Sequence, residues 1–454
     1  MIKHSKAKTL ATASAMSLVA ALALGGCAAG GSSANSSTDK VVNVLMVNNP
    51  QMVDLQKLTA ANFTKKTGIK VNYTVLPEDA VRAKISQEFS SQAGQYDVAT
   101  ISNYEVPSYA KNGWLSSLSD TVAKNKAFDQ ADILPAMTKG LTAADGKLYA
   151  EPFYGESSFL MYRKDIFAAK GLTMPANPTW AQVADLAAQV DGAEPSMKGI
   201  CLRGEPGWGQ IFAPLTTVVN TFGGTWFDKD WTAGVDAPAF EDATNFYVNL
   251  IKEHGESGAA TSGYTECLND LQQGKVAMWY DSTAAAGSLE ASGSPVAGKL
   301  GYVPAPVDKT KSSGWLYTWA FAIQKAGKHQ SAADQFIEWA SSKQYEDLVG
   351  AKLGWSRVPA GKRTSTYENA AYQKSASAFY KQTEDAIDSV DPANPGVQAR
   401  PAAGIQFVAI PEFADMATQV SQEVSNAIAG KETVDEALTK GQSLAQAVGD
   451  KYKK

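Results

Sequence analysis

The stretch Leu271-Gln-Gln-Gly-Lys-Val-Ala-Met-Trp-Tyr-Asp281 decides the fold prediction, because it joins the end of a helix to a buried strand. Gly274 is expected to end the helix that carries residues 267–273, since glycine readily adopts the left-handed conformation that ends many helices. The apolar run 276–280 then has the length of a strand that is buried in a sheet. This segment is therefore predicted as a helix leading into a core strand.

Alternation of side chains gives this strand a face that could contact a ligand. Ala277, Trp279 and Asp281 share one face, so a small residue, an aromatic ring and a carboxylate occur together at the strand's end. Such a face suits a molecule with both hydroxyl groups and C–H surface. The alternative is a core strand whose Asp281 only caps the next helix at 282–283. Spacing alone favours this alternative.

The first residues predict export. Three lysines precede an apolar run over 10–24 that is too short to span a bilayer comfortably. Leu24-Gly-Gly-Cys27 resembles a bacterial lipoprotein signal, which implies that residues 1–26 are removed and that Cys27 carries the lipid. An ordinary secretory signal and a retained anchor helix are the alternatives. Residues 27–40 are rich in glycine, serine and asparagine and are predicted as a flexible tether.

Length, charge and cysteine content narrow the class of protein. The 454-residue chain is long enough for two sizeable domains, and its net charge is −5. An acidic chain without a basic cluster is not expected to bind nucleic acid. Besides Cys27 the chain contains Cys201 and Cys267, and export favours a disulfide between them. Two separate buried thiols are the alternative.

The N-terminal part of the chain alternates between strands and helices. Strands are predicted over 41–47, 69–76 and 97–101, with helices over 53–66 and 77–93 between them. This order is typical of an α/β fold with a parallel sheet, in which ligands bind beyond the carboxyl ends of the strands.

The same rule selects polar residues after the first and third strands. They are Asn49 and Gln51 after the first strand and Glu105 after the third. Ordinary turn chemistry explains residues 48–50 equally well, because asparagine and proline are common in turns.

Six short motifs in a consistent order resemble the family-1 extracellular solute-binding proteins of carbohydrate ABC transporters. The motifs are Asn112-Gly-Trp-Leu115, Asp145-Gly-Lys-Leu-Tyr-Ala-Glu-Pro152, Met161-Tyr-Arg-Lys-Asp-Ile-Phe167, Pro178-Thr-Trp180, Gln273-Gly-Lys-Val-Ala-Met278 and Ala332-Ala-Asp-Gln-Phe-Ile-Glu-Trp339. They extend over nearly all of the chain after the signal. Four further segments are most similar to the branch that binds polyols such as mannitol and sorbitol: Asn48-Asn-Pro-Gln51, Tyr154-Gly-Glu-Ser157, Arg203-Gly-Glu-Pro-Gly-Trp208 and Trp279-Tyr-Asp281.

The resemblance implies a two-lobed α/β fold, each lobe a mostly parallel sheet flanked by helices, with the ligand cleft at the hinge. The N-terminal lobe would comprise residues 41–151 with 278–326, and the C-terminal lobe residues 152–277 with 327–454. A chain that passes between lobes several times suits rigid-body closure around a cleft.

A sugar or polyol needs polar partners for its hydroxyl groups. Carboxylates accept hydrogen bonds from pairs of hydroxyls, and arginine donates through a rigid fork. Glu156, Arg203 and Asp281 lie near a lobe crossing or a strand end and are the main candidates, and the resemblance adds Tyr154 and Arg357. The alternatives are a surface glutamate, an interdomain salt bridge, a helix cap and a solvent-facing arginine.

Aromatic rings cover the C–H surface of such ligands. Trp208 lies in a glycine-rich segment, 204–209, that neither helix nor strand periodicity explains, and loops often carry function. We therefore expect Trp208 to contact the ligand. For Trp226, Trp315 and Trp355, ligand contact and core packing both remain open.

The predicted function is the solute-binding component of an ABC importer that captures a polyol or small sugar between its lobes. No P-loop, dinucleotide fingerprint, zinc-ligand spacing or nucleophile–histidine arrangement is recognised, so no enzyme, metal or cofactor is predicted. The alternative is a secreted glycoside hydrolase that uses Glu156 and Asp281 as paired carboxylates. The expected partners are separate permease subunits in the membrane. The protein is expected to be a monomer, anchored to the outer face of the cell membrane through Cys27.

Overall fold

The computed structural model describes residues 40–453. The predicted signal peptide, Cys27 and the tether residues before Lys40 lie outside them. Among the described residues, no helix is long and apolar enough to cross a bilayer. Residues 40–453 form nine strands in two sheets, with nineteen α-helices around them.

The first sheet has five strands in the order β2-β1-β3-β9-β4. They are β1 (Val41–Val47), β2 (Lys70–Leu76), β3 (Val98–Ser102), β4 (Ala150–Glu156) and β9 (Tyr317–Ile323). β1 is parallel to β2 and β3, whereas β9 runs antiparallel to β3 and β4. Every residue of β3 is buried, as a strand with helices on both faces of its sheet requires.

The second sheet has four strands in the order β6-β7-β5-β8. They are β5 (Ser158–Arg163), β6 (Lys198–Cys201), β7 (Val276–Ser282) and β8 (Leu300–Pro304). β6 and β7 are parallel, whereas β5 is antiparallel to β7 and β8. Each sheet is therefore mostly parallel, as predicted, with one antiparallel strand, β9 in the first sheet and β5 in the second. These two strands run antiparallel because they enter their sheets from the other sheet rather than through a helical crossover within one sheet.

The helices are grouped by their position along the chain. Before β4 come α1 (Pro50–Thr59), α2 (Lys65–Thr67), α3 (Glu78–Ser91), α4 (Val106–Lys111), α5 (Ser119–Lys124) and α6 (Pro135–Leu141). Between β5 and β9 come α7 (Lys164–Ala169), α8 (Trp180–Val190), α9 (Phe212–Phe222), α10 (Pro238–His254), α11 (Tyr264–Gln272) and α12 (Ala286–Leu289). After β9 come α13 (Gln330–Ala340), α14 (Lys343–Leu353), α15 (Thr364–Glu368), α16 (Ala370–Ser375), α17 (Tyr380–Asp388), α18 (Phe413–Ile428) and α19 (Val434–Gly449).

The chain returns to the first sheet later than the sequence predicts. The predicted return is at Met278, but Met278 pairs with Ile200 of β6 and Tyr162 of β5, both in the second sheet. The return occurs at β9. Nor does all of the C-terminal part join the second sheet, because α13 packs on β9 and β1 of the first. The apolar run of β7 is buried at every position, so its side-chain pattern could not indicate which sheet it joins.

A disulfide joins the end of β6 to α11. The Cα atoms of Cys201 and Cys267 lie 5.6 Å apart, and the structure contains the bond between their sulfur atoms. Both β6 and α11 also pack against β7. The bond therefore holds α11 against the part of the second sheet from which Asp281 projects.

Candidate functional site

The two sheets meet where β4 passes directly into β5. Only Ser157 separates the last residue of β4 from the first residue of β5. A second crossing segment runs beside this point, and Gly155 N donates a hydrogen bond to Ala360 O at 3.1 Å. A Cβ atom on Gly155 would collide with the carbonyl oxygen of Gly361, which itself has a φ of +83°. Glycine at both positions therefore lets the two crossing segments touch.

A cavity lies between the two sheets beside this crossing. Its empty volume, which includes space open to solvent, is about 350 Å³. It is lined by Asn49, Glu78, Arg82, Tyr154, Glu156, Arg203, Gly209, Ala213, Tyr264, Ser282, Tyr317, Trp319, Gln406 and Phe407. Most of these side chains are polar or aromatic, so the wall offers both hydrogen bonds and flat apolar surface.

Arg203 lines the cavity and is held in place by Asp281. Its Nε and Nη2 atoms donate to the Asp281 carboxylate at 2.7 and 2.6 Å, and its Nη1 atom donates to Gly209 O at 3.1 Å. Asp281 also accepts from Trp279 Nε1 at 3.1 Å and from Ser282 N at 2.6 Å. These four bonds match the roughly four acceptor sites of a carboxylate. Asp281 is thus a buried partner of Arg203 and not part of the cavity wall.

Glu156 ends β4 and places its carboxyl group in the cavity wall. Its Oε2 atom accepts a hydrogen bond from Ser282 Oγ at 2.5 Å. Burial raises the pKa of Glu156 to about 8, although the Ser282 bond and the charge of Arg203 act in the opposite direction. The carboxyl group is therefore mostly protonated at neutral pH, and it can donate one hydrogen bond as well as accept others.

Arg82 enters the cavity from α3 between aromatic rings. Its Nη2 atom donates to Glu78 Oε1 at 2.7 Å, and its Nη1 atom donates to Tyr317 OH at 2.8 Å. Its guanidinium carbon lies 4.2 Å from the ring centroid of Trp208 and 4.7 Å from that of Trp319. Hydrogen bonds and cation–π attraction therefore fix this side chain, with its charge paired to Glu78.

Neutral polar and aromatic side chains complete the wall. Asn49 Nδ2 donates to Tyr154 OH at 2.8 Å and so connects the end of β1 to β4. The ring of Tyr264 lies 5.2 Å from the guanidinium carbon of Arg203. Both arginines that line the cavity have a carboxylate partner and Glu156 is mostly neutral, so the wall presents many donors and acceptors with little net charge.

Four of the predicted ligand residues line this cavity. They are Asn49, Tyr154, Glu156 and Arg203. Each follows a strand or lies at the crossing between the sheets, which is the reason that sequence position could identify them.

Trp208 lies outside the cavity, on the far side of Arg82. Its ring packs 4.8 Å from the ring of Phe407 and 4.9 Å from that of Tyr104. The predicted contact of Trp208 with the C–H face of a ligand in this cavity is therefore replaced by a contact with the guanidinium group of Arg82. Trp319 supplies the indole in the wall.

The other predicted tryptophans do not line the cavity either. Trp226 is buried among three phenylalanine rings and belongs to the core. Trp315 is also fully buried, with its ring 6.0 Å from that of Tyr280. Trp355 packs over Gly350 at the end of α14. Trp226 and Trp315 are therefore core residues, whereas Trp355 is partly buried and packs against the core from outside.

Three predicted polar residues are engaged elsewhere. Gln51 lines a neighbouring cavity and donates to a backbone carbonyl at 2.9 Å. Glu105 lies behind the wall, 3.4 Å from Arg82 Nη1. Arg357 forms an ion pair with Asp54. Asp281 is occupied by protein donors and does not line this cavity, so it does not offer a second carboxylate beside Glu156 there.

Several residues of the wall were not predicted from the sequence: Glu78, Arg82, Tyr264, Ser282, Tyr317, Trp319, Gln406 and Phe407. A signal existed for Glu78 and Arg82, because they follow the second strand just as Asn49 follows the first. Tyr317 and Trp319 share one face of β9, but only the antiparallel pairing of β9 reveals where that face points. Gln406 and Phe407 lie in an irregular segment that has no periodic pattern.

One group of side chains within residues 40–453 has the composition of a metal site. The candidate ligand atoms of Cys201, Glu256 and Cys267 all lie within 4.8 Å of one another. The two sulfur atoms are bonded to each other, so the oxidised protein offers only the Glu256 carboxylate there.

Comparisons with known proteins agree on one family. A family model for bacterial extracellular solute-binding proteins matches residues 48–347. The mannitol-binding protein of Pseudomonas aeruginosa is 37% identical over 405 residues, which cover 89% of this chain and 92% of the relative. An erythritol/L-threitol-binding protein of Mycolicibacterium smegmatis is 26% identical over 69% of each chain.

Solved structures of solute-binding proteins are also similar to this chain. A solute-binding protein of an ABC transporter from Agrobacterium vitis, crystallised with bound D-mannitol, superposes with a TM-score of 0.88 at 44% identity. The match covers 91% of this chain and 99% of that structure. A ribitol complex from Agrobacterium radiobacter has a TM-score of 0.79 at 23% identity, which supports the fold alone.

Proposed function

Because this chain belongs to the family of bacterial extracellular solute-binding proteins, we propose that it captures an acyclic polyol of the mannitol type for an ABC importer. The observation that carries the proposal is the 44% identity to a structure that contains D-mannitol, over nearly the full length of both chains. The cavity between the sheets is the proposed binding site.

The charges around the cavity suit a neutral ligand. Arg203 is neutralised by Asp281, Arg82 is paired with Glu78, and burial keeps Glu156 mostly protonated. A phosphorylated polyol or a sugar acid would bring a charge into a buried space without a free counter-charge, which costs several kcal/mol. An uncharged polyol needs only donors and acceptors, and these side chains supply both.

The aromatic part of the wall suits the carbon chain of such a ligand. Trp319 and Phe407 are nearly fully buried, yet both line the cavity. We propose that these rings cover C–H groups, while Asn49, Glu156 and Arg203 bind hydroxyl groups.

Titration calorimetry tests this proposal. We expect hexitols and pentitols to bind more tightly than glucose, maltose or mannitol 1-phosphate. Replacing Trp319 by leucine should weaken hexitol binding at least tenfold through lost contact, whereas Trp355→Leu, a matched change outside the cavity, should not. Saturation by an oligosaccharide or a phosphate ester alone, with no heat from any polyol, would contradict the proposed ligand class.

Export and anchoring are part of the proposed function. Family members are extracellular, and the disulfide between Cys201 and Cys267 is a bond that persists in oxidising compartments. We propose that Cys27 is the lipidated first residue of the mature chain and that the ligand is passed to separate permease subunits. Stable anchoring then depends on the acyl chains.

Replacing Cys27 by serine tests the anchor. The Cys27→Ser protein should leave the membrane fraction after a salt wash, with unchanged affinity for its ligand, because Cys27 is remote in sequence from the binding residues. A Cys27→Ser protein that stays with the membrane would show that something other than a lipid on Cys27 holds it there.

We also propose a revised division into lobes. One lobe is built on the five-stranded sheet with α1 to α6, α13 and α14, and the other on the four-stranded sheet with α7 to α12 and α17 to α19. The direct connection from β4 to β5 and the contact between Gly155 and Gly361 support a hinge at this point.

A further inference from the structure

The segment from 389 to 412, here called the strap, connects α17 to α18 without forming a helix or strand. A connection of this length without regular structure is uncommon in a compact domain and is usually functional or disordered. Its prolines and glycines explain the lack of regular structure. Residues 405–408 are nevertheless buried, so the middle of the strap is packed into the protein.

The strap is fastened to α9, which lies on the side of the second sheet. Arg400 Nη2 donates to Asn220 Oδ1 at 2.6 Å, and Asn220 Nδ2 donates to Ile405 O at 2.9 Å. Gln398 Nε2 donates to Gly223 O, just beyond the end of α9, at 2.6 Å. These three bonds fix the strap on both sides of Pro401.

The tip of the strap reaches the opposite side of the cavity. Phe407 packs 5.7 Å from the ring of Tyr104 and 6.0 Å from that of Tyr317, and both tyrosines belong to the side of the first sheet. Tyr104 OH donates to Ile410 O at 2.9 Å. Gly404 has a φ of +130°, and a Cβ atom there would collide with Phe407 O, so glycine is required for this turn.

Phe407 lies between the cavity and the ring of Trp208, which lines a larger groove. The groove has an empty volume of about 880 Å³ and is lined by residues that include Arg82, Tyr104, Trp208 and Ile410. Arg82 lines both the cavity and the groove. The ring of Phe407 packs against Trp208 on one side and Tyr317 on another. Removing the phenyl ring would therefore enlarge the cavity as far as the ring of Trp208.

We propose that the strap closes one end of the binding cavity and that Phe407 sets the maximum length of the ligand. The wild-type cavity then admits a free polyol but rejects one that carries an additional sugar ring, because that ring would have to occupy the position of the Phe407 side chain. The proposal rests on the proposed function and names the residue that limits ligand size.

The test compares a hexitol with the same hexitol carrying one glucosyl unit. For Phe407→Ala we expect the ratio of the two affinities to shift at least tenfold toward the glucosylated compound. Phe407→Leu, which is less disruptive to folding, should give a smaller shift in the same direction. Val397→Ala, an exposed change in the same strap, should leave the ratio unchanged.

Tyr104→Phe tests the closing contact separately. Losing the bond to Ile410 O should raise the dissociation rate of the hexitol several-fold, measured by stopped-flow fluorescence, with little change in the association rate. An unchanged affinity ratio in both Phe407 variants would overturn the length limit, and an unchanged dissociation rate would overturn closure by the strap. If the wild-type protein binds no hexitol, the proposed function fails instead.

Discussion

Glu156 is the residue whose protonation state matters most for binding. Its pKa of about 8 results first from burial, so at pH 6.5 the carboxyl group is mostly neutral. A neutral carboxyl group and a primary amide have nearly the same shape, and both can donate and accept hydrogen bonds.

Glutamine should therefore replace Glu156 with little loss. We expect Glu156→Gln to bind the polyol within about fivefold of wild type at pH 6.5, since that corresponds to roughly 1 kcal/mol. Glu156→Ala should weaken binding by tenfold or more, because it removes the acceptor of the buried Ser282 hydroxyl and a hydrogen-bond partner of the ligand. Titration calorimetry at pH 6.5 measures the affinity of both variants for the polyol. Equal losses in both variants would mean that a negative carboxylate is needed.

Residue types were easier to predict than their partners. Arg203 and Asp281 follow a strand and end one, which marked both as candidates, but 78 positions separate them along the chain. Their bidentate pairing requires β6 and β7 to be neighbours in the sheet. The identity of the two residues does not predict this strand order. Trp208 likewise stands among glycines, a pattern that fits a ligand contact and a guanidinium contact equally well.

At the level of elements, the sequence predicted where strands and helices occur better than how they assemble. The predicted strand 41–47 is β1, and the predicted helix 77–93 contains α3. The sheet to which β7 belongs could not be predicted, because all seven residues are buried and no alternation distinguishes its faces. The strap has no periodic sequence pattern, so its two cavity-lining residues, Gln406 and Phe407, could not be predicted.

At the scale of the whole molecule, several buried carboxyl groups couple stability to pH. Burial raises the pKa of Glu151 and Glu156 to about 8, and that of Glu205 and Glu256 to about 7. The unfolded chain releases these protons near pH 4.3, whereas the folded protein keeps them up to pH 7 or 8. This contribution to stability is therefore complete below about pH 4.3 and is lost as the pH rises to 8.

We expect the melting temperature of the ligand-free protein to fall between pH 5 and pH 8. Below pH 4 the opposite trend applies, because side-chain hydrogen bonds lower the pKa of Asp165. Calorimetric scans at pH 5, 6.5 and 8 measure the trend. Glu151→Gln should flatten it, since both carboxylate oxygens of Glu151 are buried without a hydrogen-bond partner. A melting temperature that rises from pH 5 to pH 8 would show that other groups dominate.

The contact of Trp208 with Arg82 has an optical consequence. The indole follows β6 on the side of the second sheet, whereas the guanidinium group belongs to α3 on the side of the first. Separation of the two sheets would move the Arg82 guanidinium group away from the Trp208 ring. It would also expose this indole, which is now only 8% accessible to water. Its emission would then move to longer wavelength. The protein thus carries an intrinsic fluorophore that reports whether the cleft is open or shut, without any added label.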